Sequence, residues 1–186
     1  MVQIPEEILE EYEKWYVFLQ EKVRFQMSKS LFHTRDHCAR VLLFALLLAN
    51  REDWTPEERD ILAAAAVFHD SCRKDDGYDV GHGRRGAEAY WDFCMSKRLP
   101  FSEICYRILE YHDREDKLGE KALAIMGKEG ERGIRLYRIF KDADALDRYR
   151  LGPGQGELDV KYLRTDAAKE LTGYAKRVVE SWNGES

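Results

Sequence analysis

Residues Ala63 to Asp70 read AAAAVFHD, an apolar run that ends in a histidine and an aspartate side by side. At the end of a helix, the His69 imidazole and the Asp70 carboxylate can turn toward one point, where a divalent cation can take both as ligands. Taken alone, the dipeptide equally fits two surface residues or a simple hydrogen bond. Its meaning therefore depends on the partners that the rest of the chain supplies.

Just upstream, Thr55 is followed by Pro56, Glu57 and Glu58. This is a capped helix start: the threonine accepts backbone N–H bonds, and the acids favour the positive end. The pattern predicts a helix from there to His69. On the N-terminal side, Ile8, Leu9, Tyr12, Trp15, Tyr16, Phe18, Leu19, Val23 and Phe25 make a helical stripe over about 5–26 that Pro5 can start, and 27–30 break it. Over 35–50, Val41, Leu42, Phe44, Ala45, Leu47 and Leu48 cover more than one face, which predicts a central, buried helix.

Downstream, DDGYDVGHG reads as a polar, glycine-punctuated loop. Further helices are expected over about 84–97, 100–114, 116–127, 134–150 and 166–182, with GPGQG at 152–156 as a flexible stop. No strand alternation, repeat or linker interrupts this series, so the expected class is all-α, in one domain over 1–186.

The 186 residues are enough for one sizeable core, and 44% hydrophobic content is too apolar for disorder. A net charge of −5 gives no general attraction to a nucleic-acid polymer or an anionic membrane, so a bound phosphate would need a local basic patch or a metal. The acidic N-terminus lacks the basic and apolar regions of an export signal, and the run 41–49 is too short to span a bilayer. Cys38, Cys72, Cys94 and Cys105 form no CxxC pair and read as reduced thiols, consistent with a cytoplasmic protein.

All five histidines, His33, His37, His69, His82 and His112, fall near a helix end or beside a loop, where side chains can converge on a cleft. KDADALDRYR (141–150) puts Asp142, Asp144 and Asp147 on a helix rich in apolar residues. Burying a carboxylate is costly unless it is paired or bound to a cation, so one of the three is a ligand candidate.

At this point the chain resembles the HD superfamily of metal-dependent phosphohydrolases, an all-helical fold. Its ordered pattern of histidine, histidine-aspartate and aspartate is similar to His37 in HCARV, His69 and Asp70 in VFHD, and Asp144 in ADALD, over about 32–151. The resemblance implies that these four hold a divalent ion and that Asp70 also serves catalysis. It selects Asp144 over Asp142, which would then orient a ligand imidazole or a water. GHGRRGAEAY and ILEYHD resemble the segments that carry extra histidine ligands in two-metal members, which implies the same for His82 and His112. The alternatives are a solvated loop histidine and a helix cap.

His33 and His37 stand four apart in FHTRDH, as in the HExxH zinc-protease helix, but Thr34 occupies the place of the catalytic glutamate. The spacing is instead similar to that of cyclic-nucleotide phosphodiesterases of the same superfamily. That similarity implies that His33 protonates the leaving oxygen. Arg73, Lys74, Arg84, Arg85, Lys141 and Arg148 lie close in sequence to these ligands and could line a phosphate pocket. Some nucleotidases of the superfamily carry a glutamate shortly after the His-Asp pair. Here SCRKDDGYD offers only Asp75, Asp76 and Asp79 for a base.

The expected function is hydrolysis of a small phosphate ester by a metal-activated water. The alternative is a regulatory module that binds a nucleotide or metal without turnover. Mixed imidazole and carboxylate ligands suit one or two ions of manganese, iron, nickel, cobalt or zinc.

Overall fold

The computed structural model describes residues 3–27, 30, 34–51, 54–97, 100–152, 154 and 156–183. Among them are eight α-helices and no strand: α1 (Glu6–Glu21), α2 (Arg35–Arg51), α3 (Pro56–Phe68), α4 (His82–Lys97), α5 (Glu103–Tyr111), α6 (Asp116–Ala124), α7 (Gly130–Leu146) and α8 (Asp166–Asn183). Short 3₁₀ turns occupy Gly127–Glu129, Asp147–Leu151 and Val160–Tyr162. No described helix is long and apolar enough to cross a membrane.

The centre of the fold is α2, which packs against α1, α3, α7 and α8. From His37 to Ala49 every residue except Leu47 is buried, as its all-round apolar pattern requires. Truncating one of these large side chains, such as Leu43 or Phe44, costs about 2–5 kcal/mol. α3 begins with a capping box: Thr55 Oγ1 accepts from the Glu58 N–H at 3.3 Å, and Glu58 Oε2 accepts from the Thr55 N–H at 2.8 Å. Ala63 to Ala66 are buried, and their small side chains leave room for α2, α5 and α7 to pack on α3.

Several helix boundaries differ from the sequence reading: α5 is shorter at both ends, α6 stops at Ala124, and α7 gives way to a 3₁₀ turn after Leu146. α1 stops at Glu21, and α7 begins four residues earlier than its apolar stripe, at Gly130. A Cβ at Gly130 would lie 3.0 Å from the Leu123 carbonyl, so the close approach to α6 decides where α7 starts. α4 begins at His82 inside the expected loop, which puts the histidine in its first turn.

Candidate metal centre

Four histidines meet between the ends of α2, α3, α4 and α5. His69 is the C-cap of α3 and His112 the C-cap of α5, positions where the last carbonyls of a helix lack intrahelical partners. Each imidazole satisfies one of them: His69 Nδ1 donates to the Ala66 carbonyl at 2.8 Å, and His112 Nδ1 to the Leu109 carbonyl at 2.8 Å. His82 Nδ1 donates to the Asp79 carbonyl at 2.6 Å. His37 differs, because its Nδ1 donates to the carboxylate of Asp147 at 2.7 Å.

With Nδ1 carrying the proton, a neutral imidazole presents a lone pair at Nε2. The Nε2 atoms of His37 and His69 face each other at 3.0 Å, and those of His82 and His112 at 2.9 Å. Two lone pairs at that distance repel unless a cation lies between them. Asp70 stands between the pairs. Its Oδ2 is 3.5 Å from His37 Nε2 and 3.7 Å from His69 Nε2, and its Oδ1 is 3.2 Å from His82 Nε2 and 3.8 Å from His112 Nε2. Asp144 Oδ1 joins the first pair, 3.4 Å from His37 Nε2 and 4.0 Å from His69 Nε2.

A metal–nitrogen distance of about 2.05 Å puts neighbouring ligand atoms roughly 2.9 Å apart in octahedral and 3.3 Å apart in tetrahedral geometry. The observed separations match this range or need only small closing movements. His37, His69 and Asp70 could hold one ion, and Asp70, His82 and His112 another. Asp144 adds a further oxygen to the first group. It is 32% exposed, whereas His37 and His69 are 1% exposed and Asp70 is 4% exposed, so the cluster opens to solvent on the Asp144 side.

The electrostatics fit a site that takes up cations. Burial, reinforced by His37 and His112, drives the His69 pKa down to about 3. Burial and Arg150 push His37 down too, but its hydrogen bonds to Asp144 and Asp147 prevail and raise it. Burial likewise disfavours the charged form of His82, yet Asp70 raises its pKa. Although burial opposes it, Asp144 is held well below the usual carboxylate range by His37 and His69.

The basic residues divide into two sets. Arg73 is buried beside the cluster, its Nη1 3.3 Å from His82 and 3.8 Å from Asp70 Oδ1, and it also donates to the Gly77 carbonyl. Lys141 Nζ donates to the carbonyls of His112 and Arg114, at 2.7 and 3.1 Å. Arg84 instead lies on the outer face of α4, 70% exposed and paired with Glu88. Arg148 is exposed and donates to the Gly156 carbonyl, bracing the glycine-rich loop. Lys74 is exposed, and its backbone N–H donates to Asp79. Arg84, Lys74 and Arg148 are thus not drawn into the cluster, because sequence proximity does not place a side chain on the same face.

Further residues depart from the sequence reading. Asp142 does not orient a ligand. It is fully buried and accepts from the backbone N–H groups of Arg164 and Thr165, the Thr165 hydroxyl and the Arg164 guanidinium, tying α7 to the start of α8. The carboxylate that meets a clustered imidazole is instead Asp147, one turn past Asp144 on the same side of the chain. Asp75, Asp76 and Asp79 brace their loop through Gly77, Ser30 and Arg85 respectively. His33 lies outside the described residues.

Asp113, Arg40 and Arg150 were not singled out by the sequence reading. Asp113 Oδ2 accepts from the Gly81 N–H at 2.6 Å and anchors the start of α4 beside His82. The second His-Asp pair, at 112–113, was its signal, and for Arg40 a cation within an apolar helix. An open groove of about 570 Å³ between α4 and α5, lined by Glu88, Trp91, Phe101, Tyr106 and Arg107 among others, shares none of the clustered residues.

No curated protein and no solved structure gave a match to the chain. A family model for the HD domain matches residues 34–149. That stretch encloses the whole cluster, from His37 near one end to Asp144 near the other, and over it the chain belongs to the HD domain family, the superfamily of metal-dependent phosphohydrolases.

Proposed function

We propose that this chain hydrolyses a phosphate ester of a small molecule, with nucleotides among the candidate substrates. The observation that carries the reading is Asp70, which turns one carboxylate oxygen toward each of two facing imidazole pairs. His37, His69 and Asp144 would hold one divalent ion and His82 with His112 a second, with Asp70 shared between them. When bound, such ions supply charge against phosphoryl oxygens and acidify a water.

The remaining roles fall to side chains. Asp144 leaves its face of the site open, so a phosphate group reaches the ligands from the α7 side. Lys141 sets a cation behind His112, and Arg73 sets one behind Asp70 and His82, where both favour an anionic substrate. His33, four residues before His37 in sequence, is assigned to protonate the leaving oxygen.

The test is metal analysis of protein purified without chelator, followed by a phosphate-release screen across nucleotides and sugar phosphates with added Mn²⁺. Release by the wild type and its loss in Asp70→Asn supports hydrolysis. Full metal loading with no release from any ester overturns it.

A further inference from the structure

Three of the four clustered imidazoles are held alike. His69, His82 and His112 each donate Nδ1–H to the backbone carbonyl three residues earlier, a neutral acceptor supplied by the local fold. His37 is held by a carboxylate 110 residues away, and that carboxylate is itself built in. Asp147 is fully buried. Arg40 grips it with a fork, Nε to Oδ1 at 2.6 Å and Nη2 to Oδ2 at 3.2 Å. Arg150 adds a second guanidinium, Nη1 3.5 Å from Oδ2. Arg40 is only 4% exposed, and the Trp182 ring of α8 lies 5.5 Å from its guanidinium carbon.

We infer that Asp147, locked by Arg40, is a positioning residue that decides which ring nitrogen of His37 carries the proton and so sets the affinity of one ion position of the two. The inference rests on the metal reading proposed above. An ionised carboxylate only accepts hydrogen bonds, so it demands a proton on His37 Nδ1 and leaves the Nε2 lone pair for an ion. The two guanidiniums keep the carboxylate charged and fixed in orientation. Such a buried charge pair is costly to assemble and easily replaced by apolar groups as far as stability goes. Its place against a ligand imidazole gives it a use that stability alone does not. At the other position the buried Asp113 carboxylate lies 3.7 Å from His82 Nδ1, beyond hydrogen-bond reach, and accepts from the Gly81 N–H instead, so the two ion positions differ in what orients them.

Asp147→Asn separates this role from a structural one. Arg40 Nε–H needs an acceptor, so the amide oxygen stays on Arg40 and the amide NH₂ turns to His37. Nδ1 must then accept, and the proton moves to Nε2, where it blocks ligation. Long-range ¹H–¹⁵N spectra of the full-length, metal-free variant should show one imidazole, that of His37, changed to the Nε2–H form. Zn²⁺ titration should show one equivalent weakened by about 10- to 100-fold and the other unchanged.

If Asp147→Asn does not fold, the double variant Arg40→Met/Asp147→Leu removes the carboxylate together with Arg40, the more deeply buried of its two guanidinium partners, while Arg150 keeps its bond to the backbone carbonyl of residue 147, and the same loss of one Zn²⁺ equivalent is expected. An unchanged His37 tautomer in Asp147→Asn, or Zn²⁺ affinities within about twofold of wild type in a folded double variant, overturns the inference. A wild type that binds no Zn²⁺ overturns the metal reading, while the tautomer spectra still decide the role of Asp147.

Discussion

Gly83, in the first turn of α4, lies where that helix crosses the end of α5, and Gly83→Ala tests whether this crossing builds the second ion position. On helix propensity alone, alanine should stabilise the protein by up to about 1 kcal/mol. The surroundings reverse the sign. A Cβ at residue 83 would lie 2.6 Å from the Leu109 carbonyl oxygen, 2.9 Å from Asp113 Oδ1 and 3.0 Å from His112 Nδ1. A relaxed carbon–oxygen contact is about 3.3 Å, so α4 and α5 must part by roughly 0.7 Å.

Overpacking of this kind costs about 1–3 kcal/mol, which after the propensity gain leaves a net loss of up to about 2 kcal/mol. For a chain of this size that is a fall in Tm of up to roughly 8 °C. The same movement separates His82 from His112, whose Nε2 atoms are 2.9 Å apart, by several times the ~0.2 Å that a coordination sphere tolerates. Calorimetry together with Mn²⁺ stoichiometry should therefore show a less stable protein with one equivalent fewer than wild type. A variant with unchanged or higher Tm and full stoichiometry would refute the argument that this helix crossing positions the second pair.

Asp144→Ala should weaken the first ion, so the metal-induced rise in Tm, about 5–10 °C at a hundredfold excess over Kd, should shrink in a thermal-shift titration. Asp142→Ala should do the reverse, losing about 3 kcal/mol in chemical denaturation while keeping its metal, because it removes the acceptor for Arg164 and Thr165. In metal-free protein the raised His37 and His82 contribute stability that is complete below the unfolded pKa of about 6.5 and is lost as pH rises through their folded values. The lowered His69 works oppositely, its contribution lost as pH falls from about 6.5 toward about 3. Above pH ~6.5 the metal-free Tm should thus fall with pH, while metal-loaded protein, whose imidazoles are already deprotonated, should not; parallel slopes would contradict the assignment. His33→Gln should retain metal and lose at least about tenfold in kcat on an alkyl phosphate, with a much smaller loss on a nitrophenyl ester; equal losses would remove it from the acid role.

The helices and the cluster's principal residues were legible in the chain because both depend on short-range features. The Thr55–Glu58 box and the all-round apolar pattern of α2 are local, and helix ends are where His69 and His112 find carbonyls three residues back. The order His37, His69–Asp70, Asp144 could be read without coordinates, as could the candidacy of His82 and His112. The pattern gives Asp142 the place against an imidazole, and the structure puts Asp147 there. Asp147 meets His37 and Arg40 across more than a hundred residues, and Asp142 turns to Thr165 instead, because helix rotation and the packing of α7 against α2 and α8 direct each carboxylate. Tertiary structure alone likewise separated Arg73 and Lys141, at the cluster, from Arg84 and Arg148, away from it. A long cation near a motif can point to either side of its helix, and only the packed neighbours decide which.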